Sequence, residues 1–186
     1  MAYDDTVDNS NDATYAYDAF GRRVHMTVGN AEYRFIYGQP PGRTPGSRLN
    51  AGGGSDPIAV FEDNDSDDAI DRRRYYLTLL SVDRRVGFVD VNAETGETDW
   101  YYYLTDPAGS VVAVTDSEGS IVNRYDYDAF GNLIKDNSFE NVPNRYQFHG
   151  RAYDQPRQDY HYRMRVYVPA HGRFTGPDMK IEPLDP

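Results

Sequence analysis

The stretch Arg124–Ile134 reads RYDYDAFGNLI, and its pentapeptide YDAFG (Tyr127–Gly131) has already occurred at Tyr17–Gly21. Both copies place Asp and Gly three residues apart. This spacing predicts a type I β-turn, because Asp at the first position accepts hydrogen bonds from the backbone N–H groups ahead of it and Gly at the fourth tolerates positive φ. The stretch therefore predicts a β-hairpin tip, and its recurrence indicates a repeated hairpin.

Further hairpin tips and the strands between them follow the same pattern. The Asp-x-x-Gly frame recurs at Asp106/Gly109 and Asp116/Gly119. The segments that join the tips are rich in Tyr and Val, which pack well on a pleated surface. The strands predicted in this way are DWYYYLT (99–105), SVVAVTD (110–116) and SIVNRYDY (120–127).

The tyrosines are periodic. Tyr103, Tyr125, Tyr146 and Tyr167 are separated by 22, 21 and 21 residues. A repeat of about this length is one supersecondary unit that must stack on its neighbours to bury its apolar face. No long segment shows helical periodicity. The sequence therefore predicts an all-β fold of antiparallel β-hairpin repeats, in a single domain that spans residues 1–186.

Two segments interrupt the pattern. Residues 39–56, QPPGRTPGSRLNAGGGSD, are rich in Pro, Gly and Ser, which predicts a flexible insertion. Residues 179–186 are rich in Pro and are expected to form a short tail.

Charge and composition exclude several classes of function. The net charge of −11 and the pI near 4.7 disfavour nucleic acid and anionic lipid as partners. The clusters Arg72–Arg74 and Arg84–Arg85 predict local charge pairing on a solvated face rather than a basic patch. Cysteine is absent, which excludes disulfides and thiolate metal sites. The acidic N-terminal stretch lacks the apolar core of a signal peptide, and no apolar run is long enough to span a membrane.

An acidic stretch, DNDSDDAID, resembles a calcium loop in the spacing of its carboxylates. Relative positions 1, 3, 5 and 9 of such a loop are occupied by Asp63, Asp65, Asp67 and Asp71. However, Asp68 stands where the loop turns sharply at Gly, and Arg74 stands where a bidentate Glu closes the site. Two interpretations stay open, a calcium site and an acidic hairpin tip, and no other cofactor is expected.

Two further residue classes bear on function. The histidines His25, His149, His161 and His171 show no close ligand spacing, so we expect surface or strand-face positions for them. Exposed tyrosines together with Trp100, on one face of a sheet, are suited to stacking on sugar rings. Glycan binding is therefore an alternative function.

The C-terminal motifs carry a resemblance to a known family. YDYDAFGNLI (125–134), NRYQFHGRAYD (144–154) and YHYRMRVYVPAHGRF (160–174), followed by PD (177–178), resemble the C-terminal core of the RHS/YD-repeat family. This family includes bacterial RHS proteins, the C components of insecticidal toxin complexes, and the teneurins. The upstream segments YAYDAFGRRVHMTVGNAEYRFIYG (15–38) and YYYLTDPAGSVVAVTDSEGSIVNRYDYDAFGNLI (101–134) fit the same repeats in the same order.

The resemblance implies a fold and a role. Family members build hollow shells from spiralling antiparallel β-ribbons, often around a toxic C-terminal segment, so a chain of 186 residues is expected to form a partial shell without cargo. The implied function is a scaffold in a toxin-delivery or cell-surface assembly, placed outside the cell. Its implied partners are a protein or other YD-repeat segments. The alternative function is a calcium- or carbohydrate-dependent adhesion module.

The resemblance also implies one chemistry. In many family members, aspartates near the end of the core cut the chain inside the closed shell. The family's usual Tyr-Asp-Pro corresponds to Tyr167-Val168-Pro169 here, whereas the later aspartate is present as Asp178. We therefore expect no enzymatic activity. Asp178 is the one residual catalytic candidate, and a self-cleaving aspartyl protease is the third alternative.

Overall fold

The computed structural model describes residues 13–19, 21–37, 56–65, 67–78, 85–162 and 165–177. The predicted insertion at 39–56 lies outside these ranges except for Asp56, and Asp178 and the predicted tail at 179–186 also lie outside them. Within the described ranges, no helix is long and apolar enough to cross a membrane.

The described residues form two antiparallel sheets connected by turns and short 3-10 segments. In the larger sheet, strands β1 to β10 each pair with the next strand in sequence, and β11 to β14 form a second meander of the same kind. The all-β hairpin fold is thus confirmed, and the open ten-stranded sheet is consistent with a partial shell. The strands are β1 Ala13–Tyr17, β2 Arg23–Val28, β3 Ala31–Ile36, β4 Ala59–Asp63, β5 Arg72–Thr78, β6 Arg85–Asn92, β7 Thr98–Thr105, β8 Val111–Thr115, β9 Ile121–Arg124, β10 Phe139–Glu140, β11 Ala152–Asp154, β12 Asp159–Tyr162, β13 Arg165–Val168 and β14 Arg173–Phe174.

All four predicted tips adopt the same conformation. In each tip the Gly N–H donates to the Asp carbonyl at 3.0–3.2 Å, and Asp Oδ1 accepts the N–H four residues ahead at 2.8–2.9 Å. The glycine φ angles lie between 73° and 88°. A type I turn followed by a left-handed glycine adds one residue to the strand and bends the hairpin. The four tips are Asp18/Gly21, Asp106/Gly109, Asp116/Gly119 and Asp128/Gly131.

The core lies on the inner face of the large sheet and consists largely of aromatic rings. Tyr76, Phe88, Tyr103 and Tyr125 are buried there, together with aliphatic side chains from β2, β4 and β8. The segment from residue 141 to residue 151 crosses this face and covers the rings. Tyr146, at the centre of that segment, meets Tyr76 edge to face with the ring centroids 4.8 Å apart.

The crossing segment explains how the tyrosine repeat appears in three dimensions. Tyr103 and Tyr125 are supplied by the large sheet, Tyr146 by the segment that covers it, and Tyr167 by β13 in the second sheet. The regular spacing of the tyrosines therefore corresponds to repeats that first add to the large sheet and then fold back over its inner face. The predicted strand at 120–127 is shorter than expected and ends at Arg124, where the chain leaves the sheet.

The fourth tip is packed against the C-terminal sheet. Tyr160 Oη donates to the carbonyl of Gly131 at 3.1 Å, and Tyr167 Oη donates to that of Phe130 at 2.9 Å. A Cβ atom built on Gly131 would lie 2.5 Å from the ring of Phe148, whereas a Cβ atom on Gly119 would meet nothing within 4 Å. One turn type thus serves as a free tip at one place and as a packing contact at another.

Alanine substitutions separate these two roles. Gly119→Ala and Gly131→Ala start from φ angles of 85° and 86°. Both should lose about 1 kcal/mol to left-handed backbone strain. Gly131→Ala should lose about 2 kcal/mol more, because its Cβ atom overlaps a packed ring. Urea unfolding of both variants measures the difference, and equal losses would contradict the packed fourth tip.

Candidate functional site

The candidate site is the inner face of the large sheet where the crossing segment lies on it. Three sheet side chains hold the first part of the segment, residues 141–144. Arg74 Nη1 donates to the carbonyl of Pro143 at 2.7 Å, and Tyr103 Oη donates to Asn144 Oδ1 at 2.8 Å. The third side chain is Asn123, which has no exposed surface.

Asn123 binds the crossing segment as a strand partner would. Its Oδ1 accepts the N–H groups of Asn141 and Val142, both at 2.9 Å. Its Nδ2 donates to the carbonyl of Val142 at 2.7 Å and to Tyr125 Oη at 2.9 Å. A buried amide with its donors and acceptors paired in this way fixes the position of the segment.

Arg74 joins an ion pair, a ring and the segment. Its Nε and Nη2 atoms each lie 2.6 Å from an oxygen of Asp90, and its guanidinium lies 4.3 Å from the ring centroid of Phe88. Burial opposes the charge of Arg74, but the hydrogen bonds and charge of Asp90 outweigh this and raise the pKa of Arg74 above its ordinary value.

Arg85 has a similar environment. Its guanidinium lies 3.5 Å from the ring centroid of Tyr146, and it contacts the carbonyl of Gly150 at 3.0 Å and Asp56 at 3.1 Å. The predicted charge pairing is therefore confirmed for Arg74 and Arg85, but the predicted solvated face is wrong for both. Both terminal nitrogens of Arg85 meet oxygen atoms and its flat surface stacks on a ring, which stabilises the guanidinium at low exposure although Nε has no hydrogen-bond partner.

A cavity of about 430 Å³ lies beside the crossing segment. Its lining combines apolar residues such as Met26 and Val60 with Glu62, Glu140 and Arg145. Burial raises the pKa of Glu62, and the charge of Arg74 opposes this. Glu140 accepts a 2.6 Å hydrogen bond from Tyr125 Oη. The polar groups of the cavity are thus largely engaged with the protein itself.

A buried ion pair joins β2 of the large sheet to β11 of the second sheet. Asp154, on β11, accepts a hydrogen bond from Tyr15 Oη at 2.9 Å and lies 2.8 Å from Arg23 Nη1. The side chains of Arg23 and Asp154 are only 3% and 1% exposed. Since a broken buried pair leaves an uncompensated charge, this contact ties the second sheet firmly to β1 and β2.

The predicted calcium residues are only partly brought together. Ligand atoms of Asp63, Asp65 and Asp71 lie within 4.8 Å of one another, and Asp67 is outside this group. Asp63 and Asp71 accept backbone N–H groups of their own loop, as a hairpin tip requires. Asp68 has a φ of 69°, so it adopts the left-handed conformation that a calcium loop assigns to glycine. Calcium binding stays a prediction.

The histidines occupy strand and surface positions. His25 contacts Glu32 at 3.2 Å, and His149 contacts Tyr162 Oη at 3.1 Å. His161 is half-buried, and His171 is exposed on a 3-10 turn. The acidic cluster described above contains no histidine. Val168 ends β13, and its correspondence to a family aspartate stays a prediction.

Comparison with known proteins agrees with this architecture. The Teneurin YD-shell family matches residues 69–184, more than half of the chain. The chain belongs to the RHS/YD-repeat family. The tRNA3(Ser)-specific nuclease WapA of Bacillus spizizenii is 30% identical over 170 residues, covering 89% of this chain and 6% of the relative. Teneurin-3 of Mus musculus is 32% identical over 170 residues, covering 90% and 5%.

A solved structure shares the fold. The Tc holotoxin pore of Photorhabdus luminescens matches with a TM-score of 0.59 and 19% identity, covering 87% of this chain and 7% of the solved chain. The chain therefore spans a small fraction of the proteins that it matches. The shared portion is a YD-shell fold.

Sequence reasoning missed the buried polar residues that hold this site together. Asn123 lies in a predicted strand and Asp154 in a family motif, but no contact is predicted for either, and for Arg74 the prediction is limited to local charge pairing. A signal for Asn123 existed, because a lone amide in the strand IVNR needs partners when the strand is covered. Its partner, 18 residues further along the chain, depends on where the segment crosses.

Substitutions at two adjacent arginines test whether Arg74 holds the crossing segment through Asp90 and Pro143. Arg74→Lys should lower the free energy of unfolding by about 3 kcal/mol, because lysine cannot keep the paired contact with Asp90 and also reach Pro143. Arg73→Lys is the matched control. It changes the neighbouring residue on the opposite face of β5 and should cost less than about 0.5 kcal/mol. Denaturant unfolding measures both values, and equal losses would contradict the role of Arg74.

His161 should make stability depend on pH. Burial, aided by the charges of Arg23 and Arg145, lowers the pKa of His161 from 6.5 to about 4. The unfolded chain therefore binds a proton in a range where the folded chain does not. The stability associated with this residue is complete above pH 6.5 and is lost as the pH falls toward 4. At pH 5 the loss should be about 2 kcal/mol.

Thermal and urea unfolding at pH 7.5 and pH 5 will measure this loss. His161→Gln should remove most of it, and His25→Gln, which leaves His161 in place, should retain it. An unchanged pH dependence in His161→Gln would show that other groups are responsible.

Proposed function

We propose that this protein is a non-enzymatic scaffold, a YD-shell segment that works within a larger toxin-delivery or cell-surface assembly outside the cell. The observation that carries the proposal is the open ten-stranded sheet. Within the described residues, β1 pairs on one side only, and the inner face is covered by the chain's own crossing segment. An unpaired edge of this kind accepts further strands, so other YD-repeat segments or a protein partner would extend the sheet.

The inner face supports a structural role for the polar residues. Arg74, Asn123 and Asp154, which carry charge or hydrogen-bonding capacity into the core, each contact residues of this chain. Groups committed in this way position the backbone and are not directed toward a substrate. The nuclease named among the relatives is about seventeen times longer than the matched segment, so its activity is not assigned to this chain.

A glycan-binding adhesion module is the second candidate function. Trp100, Tyr75 and Tyr102 are 41–46% exposed on the face of the sheet opposite the core. Aromatic rings displayed on a sheet surface are suited to stacking on sugars. The acidic tip at Asp63–Asp71 would make such a module calcium-dependent. A glycan contact at Trp100 would favour this candidate over a purely structural role.

The scaffold proposal predicts an intact chain without catalysis. Cleavage by aspartates needs one ionised and one protonated carboxylate, and Val168 occupies the place of one of them. Purified protein held for days at pH 7 and pH 5 should keep its full mass in intact-mass spectrometry. Transfer RNA incubated with it should remain uncut.

Asp178→Asn is the control for self-cleavage. A discrete C-terminal cut that this variant abolishes would contradict the proposal and support the third alternative, a self-cleaving protease. Chemical scission at Asp56-Pro57, Asp106-Pro107 or Asp185-Pro186 would be the same in both proteins and is thereby distinguished.

A further inference from the structure

The outer face of the large sheet carries a row of apolar residues. Cross-strand partners in successive strands from β3 to β7 form this row on the face opposite the core. Its members, in order, are Ile36, Ala59, Tyr75, Val89 and Trp100. Ala59 and Val89 are only 2% and 7% exposed, whereas the three large members, Ile36, Tyr75 and Trp100, are 39–46% exposed. An apolar row that crosses five strands with large exposed members is unusual on a sheet face that contacts water.

The row continues toward the other end of the sheet. Tyr102 and Leu104 follow Trp100 along the outer side of β7, and their cross-strand rows lead to Ile121 on β9 and Phe139 on β10. The seven large members of this surface are 39–49% exposed. We call them the outer stripe: Ile36, Tyr75, Trp100, Tyr102, Leu104, Ile121 and Phe139.

On β5 to β10, which carry six of the seven residues of the outer stripe, the charge of the outer face is opposite to that of the whole chain, whereas on β3 and β4 this face also carries Glu32 and Asp63. From β5 to β10, the outward-facing strand positions include Arg73 and Arg124 but no carboxylate. The chain as a whole has a net charge of −11. Its carboxylates lie instead in the loops and on the inner face, as at Asp116, Glu118 and Glu140. This distribution is what a covered face requires, because a buried unpaired carboxylate is costly.

The size of the outer stripe matches a protein interface. Aromatic and large aliphatic side chains bury roughly 150–250 Å² each, so seven of them at this exposure leave roughly 600 Å² of apolar surface in water. Monomeric proteins rarely expose a larger apolar patch. Two copies joined through this surface would hide roughly 1,200 Å², which is the lower end of the range for specific interfaces.

We propose that the outer stripe is a homodimer interface, in which two copies pack sheet face against sheet face. Sheets pack in this way through apolar side chains that interdigitate. A second copy also offers Tyr75 and Trp100 rings on which Arg73 and Arg124 can stack. Each copy has a net charge of −11, but on β5 to β10 the carboxylates lie in the loops and on the inner face, so packing through the outer face keeps them away from the interface. The proposal goes beyond the scaffold role, which depends on strand edges.

Trp100 reports on this interface directly because it is the single tryptophan of the chain. Sedimentation velocity of the full chain should show a monomer converting to a dimer as the concentration rises through the micromolar range. Over the same range, Trp100 emission should shift to the blue and become less accessible to acrylamide. A monomer at all concentrations, or a dimer with unchanged Trp100 emission, would overturn the proposal.

Two double variants distinguish association through the outer stripe from association through the edge strand β1. Trp100→Ser combined with Tyr102→Thr should weaken dimerisation at least tenfold while leaving the circular dichroism spectrum and melting temperature nearly unchanged. The matched control, Thr14→Lys combined with Ala16→Lys, charges the exposed edge strand β1 and should retain the dimer. Both pairs alter exposed positions, so both proteins should fold.

Two outcomes would contradict the interface and point elsewhere. If the β1 variant dissociates and the stripe variant does not, association uses the strand edge, which supports the scaffold function and overturns the face-to-face dimer. The other outcome is that maltoheptaose or chitohexaose shifts the emission of Trp100 in the monomer while dimerisation is unaffected. In that case the outer stripe binds glycans, and the dimer proposal is overturned.

Discussion

The guanidinium of Arg74, on β5, connects the neighbouring strand β6 to the crossing segment 69 residues further along the chain. It pairs with Asp90 on the next strand, stacks on Phe88 in the core, and donates to Pro143 in the crossing segment. If this cation were removed, Asp90 would be left buried without its partner, and the segment would lose one of its anchors. The position of the crossing segment, and with it the cavity and the second sheet, depends on this contact.

The same combination of charge and ring recurs throughout the fold. Arg23 stacks on Tyr15, Arg85 on Tyr146 and Arg145 on Phe35. These arginines cover the edges of a core that is thin and aromatic, where aliphatic side chains would leave the tyrosine hydroxyls without polar neighbours. The planar, always charged guanidinium can lie on a ring face and, in Arg23 and Arg85, also pair with a nearby carboxylate.

Local features of the fold were predictable from the sequence, and long-range ones were not. The Asp-x-x-Gly frame identifies all four tips, because the turn is specified by residues within four positions of each other. Strands β7 and β8 follow from the alternation and the Tyr and Val content of their segments. The fold-back of the crossing segment depends on Asn123 meeting Val142, and the contact between the two sheets depends on Arg23 meeting Asp154. Such pairings leave no periodic signal, and a buried arginine looks like a surface arginine until its partners are known.

The free tips, finally, have a bearing on how this chain can change over time. A side chain added at Gly21, Gly109 or Gly119 would meet no neighbouring atom, whereas one added at Gly131 would strike a packed ring. Insertions and peptide grafts should therefore be tolerated at the first three places and rejected at the fourth. Two identical pentapeptides are consequently under different constraint at their glycines: a side chain at Gly21 meets only the cost of a left-handed backbone, whereas one at Gly131 must also displace a packed ring.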